Sequence, residues 1–383
     1  FNSLVQVDSD TYALAYSGSD YDGFISTFDI AADGTITAVK TQSLGNNLGH
    51  DTAQGKYNSL VQVDADTYAL AYAADASDGY ISTFDIAADG TTITEVATLE
   101  HDTDNGTFNS LVQVDSDTYA LAYAGTGQDG FISTFTISSS GVITAVRTQS
   151  LGNNLEHDTV HGRYNSLVQV DSDTYALAYT GDDPDANFSG NGFISTFTIS
   201  SSGAITAVKT QSLGNNLEHD TVQGYFNSLV QVDSDTYALA YSGSDYDGFI
   251  STFDIAADGT ITAVKTQSLG NNLEHDESTG AYNSLVQVDS DTYALAYYGD
   301  GNVGFISTFD IAADGTITAV KTQSLGNNLG HDTAQGKYNS LVQVDADTYA
   351  LAYAADASDG YISTFDIAAD GTTITEVATL EHD

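Results

Sequence analysis

The sequence predicts an all-β protein, a closed seven-bladed β-propeller with four antiparallel strands in each blade. The first observation is an internal repeat, because the motif (F/Y)NSLVQVD(S/A)DTYALAY occurs seven times in 383 residues. The second is the spacing of 51 to 62 residues between copies, which suits one four-stranded blade. The copies begin at Phe1, Tyr57, Phe108, Tyr164, Phe226, Tyr282 and Tyr338.

Four segments in each repeat are predicted to be strands. They are rich in Val, Ile, Thr, Tyr and Phe and are bounded by Asp, Gly, Ser and Asn, which favour turns. In the first copy the segments are NSLVQV (2–7), TYALAY (11–16), GFISTFDI (23–30) and TITAVKTQ (35–42). We expect NSLVQV to be the innermost strand, since it varies least between copies.

The second strand alternates large and small side chains. Tyr12, Leu14 and Tyr16 share one face, and Ala13 and Ala15 share the other. The large face of one blade is therefore expected to fill the small face of the next blade.

Turn residues predict how the strands connect and how the ring closes. Asp33-Gly34 joins the third and fourth segments, and Gly accepts the positive φ that such hairpins need. Because the chain begins on a first strand and ends after a fourth, closure is expected without strand exchange. One domain, 1–383, should contain blades 1–56, 57–107, 108–163, 164–225, 226–281, 282–337 and 338–383.

The hairpin segment ISTFDIAADGTITAV (25–39) resembles the corresponding hairpin of the lactonase-type and YVTN-type seven-bladed propellers. It covers about a quarter of each repeat. The resemblance implies the propeller fold, but no catalytic residue of that family matches a position in this sequence.

Composition limits the partners. The 53 acidic residues against 8 basic residues give a formal net charge of −45, which repels nucleic acids and anionic membranes. There is no cysteine, so disulfides and thiolate metal sites are excluded. No apolar run is long enough for membrane insertion. Salt screening of this charge favours an extracellular or cell-surface location, and the opening in mid-pattern suggests neighbouring copies or domains of a longer chain.

The loops that vary between copies are expected to share one rim of the ring. Successive antiparallel strands end at alternate rims, so the loop between strands two and three and the loop between strand four and the next blade lie together. The longest of the first kind is TGDDPDANFSGNG (180–192). This rim is the predicted ligand face, although exposed loops also vary without function.

One His-Asp pair occurs in the loop after strand four of each repeat. Two interpretations remain open: a ring of ligand, metal or proton sites, or a repeated structural bond within the loop. The candidate binding residues are His50, Asp51, His101, Asp102, His157, Asp158, His219, Asp220, His275, Asp276, His331 and Asp332, and His382-Asp383 ends the last repeat.

The longest loop also suggests a calcium site. Asp183, Asp185, Asn187 and Ser189 place oxygen-bearing side chains at alternate positions, as calcium-binding loops do. Phe188 stands where the EF-hand pattern has glycine. Calcium is therefore an optional ligand, and no cofactor is required.

The functional prediction from these patterns is a non-catalytic, extracellular binding or scaffold protein, an adhesion or filament-forming module with a glycan, protein or matrix ligand on the variable rim. An enzyme is not favoured, because every pair recurs in all repeats whereas catalysis usually needs one asymmetric constellation. Two alternatives remain: a lactonase-like propeller enzyme, and a purely structural or engineered repeat protein.

Overall fold

The computed structural model describes residues 2–181, 190–355 and 359–383. They form seven antiparallel sheets in a ring, and this confirms the predicted seven-bladed propeller. Strands are numbered in chain order. Blade one contains β1 (Ser3–Gln6), β2 (Thr11–Ser17), β3 (Gly23–Ile30), β4 (Ile36–Lys40) and β5 (Leu48–Asp51), and blade two contains β6 (Lys56–Gln62), β7 (Thr67–Ala73), β8 (Gly79–Ile86) and β9 (Ile93–Asp102).

The next three blades repeat the five-segment pattern of blade one. Blade three contains β10 (Thr107–Gln113), β11 (Thr118–Ala124), β12 (Gly130–Ile137), β13 (Ile143–Arg147) and β14 (Leu155–Asp158). Blade four contains β15 (Arg163–Gln169), β16 (Thr174–Thr180), β17 (Gly192–Ile199), β18 (Ile205–Lys209) and β19 (Leu217–Asp220). Blade five contains β20 (Tyr225–Gln231), β21 (Thr236–Ser242), β22 (Gly248–Ile255), β23 (Ile261–Lys265) and β24 (Leu273–Asp276).

The last two blades differ from each other in the fourth strand. Blade six contains β25 (Ala281–Gln287), β26 (Thr292–Tyr298), β27 (Gly304–Ile311), β28 (Ile317–Lys321) and β29 (Leu329–Asp332). Blade seven contains β30 (Lys337–Gln343), β31 (Thr348–Ala354), β32 (Gly360–Ile367) and β33 (Ile374–Glu381). Short 3-10 turns occur at Ser19–Tyr21, Asp75–Ser77, Thr126–Gln128, Gln149–Leu151, Gln211–Leu213, Ser244–Tyr246, Gln267–Leu269 and Asp300–Asn302.

The fourth strand corrects one sequence-based prediction. In five blades it is split by the segment TQSLGNN, which we call the TQSLGNN turn, at residues 41–47, 148–154, 210–216, 266–272 and 322–328. In the first of these, Asn46 Oδ1 accepts the Thr41 N–H at 2.9 Å and Gly45 adopts a φ of 68°. The chain therefore bulges out and returns to β3 as β5. His50 and Asp51 lie on this strand segment, not in a loop as predicted.

Inner-strand hydrogen bonds close the ring. Each first strand offers a serine hydroxyl to the backbone N–H of a leucine in an adjacent blade, at 2.9 to 3.1 Å at all seven junctions. The bond between the first and last blades joins Leu4 N–H to Ser340 Oγ. First strands thus line the axis, and the ring closes without strand exchange, as predicted.

The core between blades follows the predicted alternation of side-chain size. Tyr12, Leu14 and Tyr16 of blade one pack against Ala350 and Ala352 of blade seven. The same arrangement recurs at the other junctions. Apolar burial of this kind contributes about 25 cal/mol per Å².

Loop contacts confirm the shared rim. The backbone N–H of Gly55, in the loop after strand four, donates to the Tyr21 carbonyl in the loop between strands two and three at 2.8 Å. Equivalent bonds join Gly106 to Ser77 and Gly162 to Gln128. On the opposite rim, the DG hairpins dock on the neighbouring blade, with Thr27 Oγ1 donating to the Gly90 carbonyl at 2.8 Å.

Candidate functional site

A ring of aromatic residues surrounds the axis at the variable rim. We call it the aromatic collar. It comprises the first motif residue of repeats two to seven: Tyr57, Phe108, Tyr164, Phe226, Tyr282 and Tyr338. Consecutive collar rings lie 4.3 to 4.5 Å apart between centroids. Phe1 is the corresponding residue of blade one and lies outside the described residues.

Every described collar residue has a strained backbone. Their φ angles lie between 53° and 58°, in the left-handed region that bulky residues rarely occupy. Such a conformation costs on the order of 1–3 kcal/mol per residue and persists where surrounding structure holds it. Its recurrence in six blades indicates that the position of these rings is specified by the fold.

The asparagine after each collar residue holds this conformation in place. Asn165 Nδ2 donates to the Gly162 carbonyl at 2.9 Å and to the Phe108 carbonyl of the preceding blade at 3.0 Å. Asn227 bonds in the same way to Gly224 and Tyr164. The amides of Asn165, Asn227, Asn283 and Asn339 thus each tie a collar residue to its neighbour in the preceding blade.

The collar and the asparagines line a pocket on the axis. It encloses about 530 Å³ of empty space, part of it open to solvent. The asparagines in its wall are Asn2, Asn58, Asn109, Asn165, Asn227, Asn283 and Asn339. Among the described lining residues there is no carboxylate and no imidazole.

The collar is not symmetric, because only its tyrosines carry hydroxyl groups. Burial raises the pKa of Tyr164 to about 12. The pKa of Tyr282 is raised well above its usual value, mainly by burial and secondly by the neighbouring Tyr338. Burial raises the pKa of Tyr57, partly offset by the Arg163 charge. These hydroxyls therefore remain protonated hydrogen-bond donors at neutral pH.

Basic residues precede the collar in three blades of this acidic chain. Lys56 Nζ lies 3.7 Å from the centroid of the Tyr21 ring, and Arg163 Nε donates to Gln128 Oε1 at 3.1 Å. Lys337 Nζ lies 5.0 Å from the Tyr298 centroid. The pocket mouth is therefore less negative than the rest of the surface.

In the sequence, the collar aromatics are recognisable only as the residues at which the repeats start. A signal was present, because Tyr and Phe exchange at this position while the next residue is always asparagine. The left-handed backbone that turns these rings to the axis could not be read from the motif, since bulky residues seldom adopt it.

The predicted histidines lie at the junctions between blades. His50 contacts the Tyr72 ring of blade two edge-on, with centroids 4.7 Å apart, and His382 contacts Tyr16 of blade one at 4.6 Å. The junction histidines are His50, His101, His157, His219, His275, His331 and His382, and burial lowers the pKa of each to about 3. They are neutral packing residues at physiological pH.

The partner aspartates shape the loops that follow. Asp158 Oδ1 accepts the backbone N–H groups of Val160 and His161 at 2.9 and 3.1 Å. Burial raises the pKa of Asp158 to about 6. This geometry matches the structural interpretation of the pairs, and ligand binding by them stays a prediction.

The predicted metal ligands belong to the long loop of blade four. Asp183, Asp185, Asn187 and Ser189 lie outside the described residues, so the calcium site stays a prediction. In the part of the chain that is described, no three His, Asp or Glu side chains are grouped as a metal site would require. Nor does any helix there reach the length and apolarity of a membrane span.

Comparison with known proteins adds structural neighbours. No protein-family model and no curated protein matches the sequence. A 6-phosphogluconolactonase candidate from Bacteroides fragilis has a TM-score of 0.68 at 14% identity, with 99% of this chain and 97% of that chain covered. A periplasmic gluconolactonase from Pseudomonas aeruginosa has a TM-score of 0.68 at 15% identity, with 97% and 96% covered.

A further 6-phosphogluconolactonase candidate, from Bacteroides uniformis, has a TM-score of 0.65 at 10% identity, with 99% and 98% covered. The chain is a seven-bladed β-propeller. Its likeness to lactonase propellers agrees with the resemblance of the hairpin 25–39, and at these identities it establishes the fold.

The comparisons correct the functional prediction. A non-catalytic binding or scaffold role, without enzyme activity, was wrong, because structures described as lactonases recur among the full-length neighbours and favour the lactonase-like alternative. The His-Asp pairs are symmetric, because they recur in every repeat. The asymmetry lies instead in the collar, where hydroxyl groups occur in some blades and not in others.

Proposed function

We propose that this chain hydrolyses a sugar lactone in the axial pocket. The observation that carries the proposal is the collar, which brings tyrosine hydroxyls and aromatic faces together at the mouth of the ring. Full-length structural neighbours described as lactonases support the same class of reaction.

The pocket suits a small cyclic polyol ester. Aromatic rings present flat faces for the C–H side of a sugar ring, and the tyrosine hydroxyls can bond to its oxygens. The same tyrosines would therefore bind both the ring of the sugar and its oxygen atoms.

Lactone opening needs an attacking water and a stabilised oxyanion. Water oxygen attacks the carbonyl carbon, the ring C–O bond breaks, and the leaving oxygen takes a proton to give a hydroxy acid. Tyr282 and Tyr338 are adjacent, with ring centroids 4.5 Å apart, so we assign them as donors to the carbonyl oxygen as its negative charge develops.

The lining predicts how the rate depends on pH. Because the described lining offers no carboxylate or imidazole as a general base, attack depends on hydroxide or solvent-assisted water. The rate should therefore rise with pH while the tyrosines keep their protons. The raised pKa of Tyr282 keeps this donor protonated beyond the usual value of about 10.

The test is proton release from δ-gluconolactone and related aldonolactones, measured above the spontaneous rate. Tyr282→Phe with Tyr338→Phe should lower kcat by roughly 100-fold or more, as the loss of oxyanion donors does elsewhere. Tyr21→Phe is the control, because Tyr21 is exposed and lies outside the collar. Absence of turnover by the wild-type chain across the panel would refute the proposal.

An extracellular location forms part of the proposal. Its support is the net charge of −45, which is tolerated best where salt reduces the Debye length to about 3 Å at 1 M. Retention of the folded state and activity in 1 M salt would agree with it.

A further inference from the structure

Two blade junctions lack a segment that covers the other five. Blades two and seven have continuous fourth strands, β9 and β33, and no TQSLGNN turn. At these places Ala97-Thr98 and Ala378-Thr379 connect directly to the LEH segment. Blades two and seven are therefore open where the other blades carry a projecting turn.

The TQSLGNN turn of each blade covers the histidine of the preceding blade. Ser43 N–H of blade one donates to the His382 carbonyl of blade seven at 3.2 Å, and Ser324 N–H donates to the His275 carbonyl at 3.2 Å. The turns of blades three, four and five contact β9, β14 and β19, the strands that carry His101, His157 and His219. Five histidines thus have a cover built from the chain itself.

The histidines that lie beneath a TQSLGNN turn are less exposed than the two that do not. The five covered histidine residues are 0 to 1% exposed, whereas His50 is 9% and His331 is 7% exposed. These two precede blades two and seven. Both ring nitrogens of every junction histidine, His50 and His331 included, are buried and lack a hydrogen-bond partner among the described residues. Each missing turn therefore leaves His50 or His331 more exposed than the five covered histidines, although the ring nitrogens stay buried.

The opening at the first of these junctions is a groove of about 1210 Å³, part of it open to solvent. Its lining includes His50, Asp51, Asp75, Asp78, Tyr80, Glu95 and Thr98. Tyr80 and its counterpart Tyr361 stand where the other five blades have phenylalanine, so a hydroxyl is added at the two open junctions only. Residues 23–102 and 304–383 are identical, so the sequence around the second missing turn is the same, with residues 356–358 outside the described part of the chain.

The grooves are more acidic than the covered junctions for two reasons. A basic residue precedes every TQSLGNN turn, at Lys40, Arg147, Lys209, Lys265 and Lys321, and blades two and seven have alanine there. They also carry Glu95 and Glu376 where the other blades have alanine. Compared with a covered junction, each groove therefore has one cation fewer and one carboxylate more. The described part of the chain offers no cluster suited to a metal.

We propose that each groove binds a basic peptide turn of a partner protein, in the place that the TQSLGNN turn occupies at the other junctions. A backbone N–H of the partner would donate to the His50 or His331 carbonyl, as Ser43 does to His382. A lysine or arginine of the partner would face Glu95 or Glu376. The net charge of −45 disfavours a second copy of this chain, since two copies repel each other.

The probe is the peptide acetyl-KTQSLGNN-amide, titrated into the full chain by calorimetry at low salt. We expect two equivalent sites per chain. In ¹H–¹⁵N spectra of the imidazoles, the signals of His50 and His331 should shift and those of the five covered histidines should not. A peptide with glutamate in place of its lysine should bind at least two-fold more weakly.

Two variants test the location. Replacing Ala97-Thr98 and Ala378-Thr379 by the residues KTQSLGNN, together with Glu95→Ala and Glu376→Ala, rebuilds the cover and should abolish binding while the chain stays folded. Glu95→Ala with Glu376→Ala alone should weaken binding about two- to five-fold, as expected for an exposed charge pair. Asp64→Asn with Asp345→Asn changes two exposed carboxylates on the opposite rim and should have no effect.

Three results would overturn the proposal. The first is no binding of the peptide, and the second is binding that the rebuilt cover does not remove. The third is concentration-dependent dimerisation that the rebuilt cover abolishes, which would assign the grooves to a second copy. None of these outcomes depends on lactone hydrolysis, so the two proposals are tested separately.

Discussion

The seven junction histidines should make the fold sensitive to mild acid. Each is neutral in the folded chain, with a pKa lowered to about 3 by burial, whereas unfolded histidine titrates near 6.5. Between these values the unfolded state binds more protons, so the free energy of unfolding falls as the pH falls below about 6.5. At pH 5.5 each histidine contributes a loss of about 1.4 kcal/mol, and seven lose on the order of 10 kcal/mol.

The buried aspartates oppose this loss. Burial raises the pKa of Asp158 to about 6 and also raises the pKa of Asp102, Asp220 and Asp276. Such groups bind protons more readily in the folded state, so they favour folding below their folded pKa. A group with a folded pKa near 6 recovers about 1 kcal/mol at pH 5.5. The net loss should remain several kcal/mol, a large part of the usual 5–15 kcal/mol.

The assay is urea unfolding at pH 7.5, 6.5 and 5.5, followed by tyrosine fluorescence because the chain has no tryptophan. Working in 1 M NaCl screens the surface carboxylates. His219→Gln should reduce the difference in free energy of unfolding between pH 7.5 and 5.5 by about 1.4 kcal/mol. His161→Gln is the control, since His161 lies in the loop after β14 and is only partly buried. A transition midpoint that stays constant or rises between pH 7.5 and 5.5 would refute the reasoning.

The remaining predictions concern catalysis and packing. Lactone hydrolysis should increase with pH until the collar tyrosines ionise, beyond the usual tyrosine pKa of about 10, measured as kcat/KM in a pH series; a maximum near neutrality would contradict this. Gly130→Ala should cost about 1–3 kcal/mol, because its Cβ would overlap the buried His157 ring. Gly49→Ala is its control, since the nearest atom to that Cβ is 3.6 Å away. Ser340→Ala removes the bond to Leu4 and should cost about 1 kcal/mol, no more than Ser110→Ala at an internal junction; a much larger loss would show that the closing junction depends on this bond.

The fold could be predicted from the sequence because one pattern is repeated seven times. Seven copies of one pattern fixed the number of blades, and the alternation of Tyr12, Ala13 and Leu14 fixed which faces meet, because strand side chains alternate with period two. The split fourth strand was not readable, since TQSLGNN resembles a loop and the short LGHD segment has no strand propensity of its own. It becomes a strand only because β3 offers an unpaired edge, and this placed His50 at a junction instead of a rim loop.

The candidate sites lie where the repeats differ in sequence. Whether a site has an identical copy elsewhere in the ring determines whether one substitution or two are needed to test it. The two grooves derive from identical segments, 23–102 and 304–383, so a change in one copy leaves an intact groove in the other, and binding falls by half at most. Tyr57 and Tyr338 belong to those same segments, whereas Tyr164 and Tyr282 belong to repeats without an identical partner. Substitution of Tyr282 therefore removes a donor that no identical repeat replaces. A single change at Tyr282 should affect turnover alone, while only paired changes at Glu95 and Glu376 should affect peptide binding at both grooves.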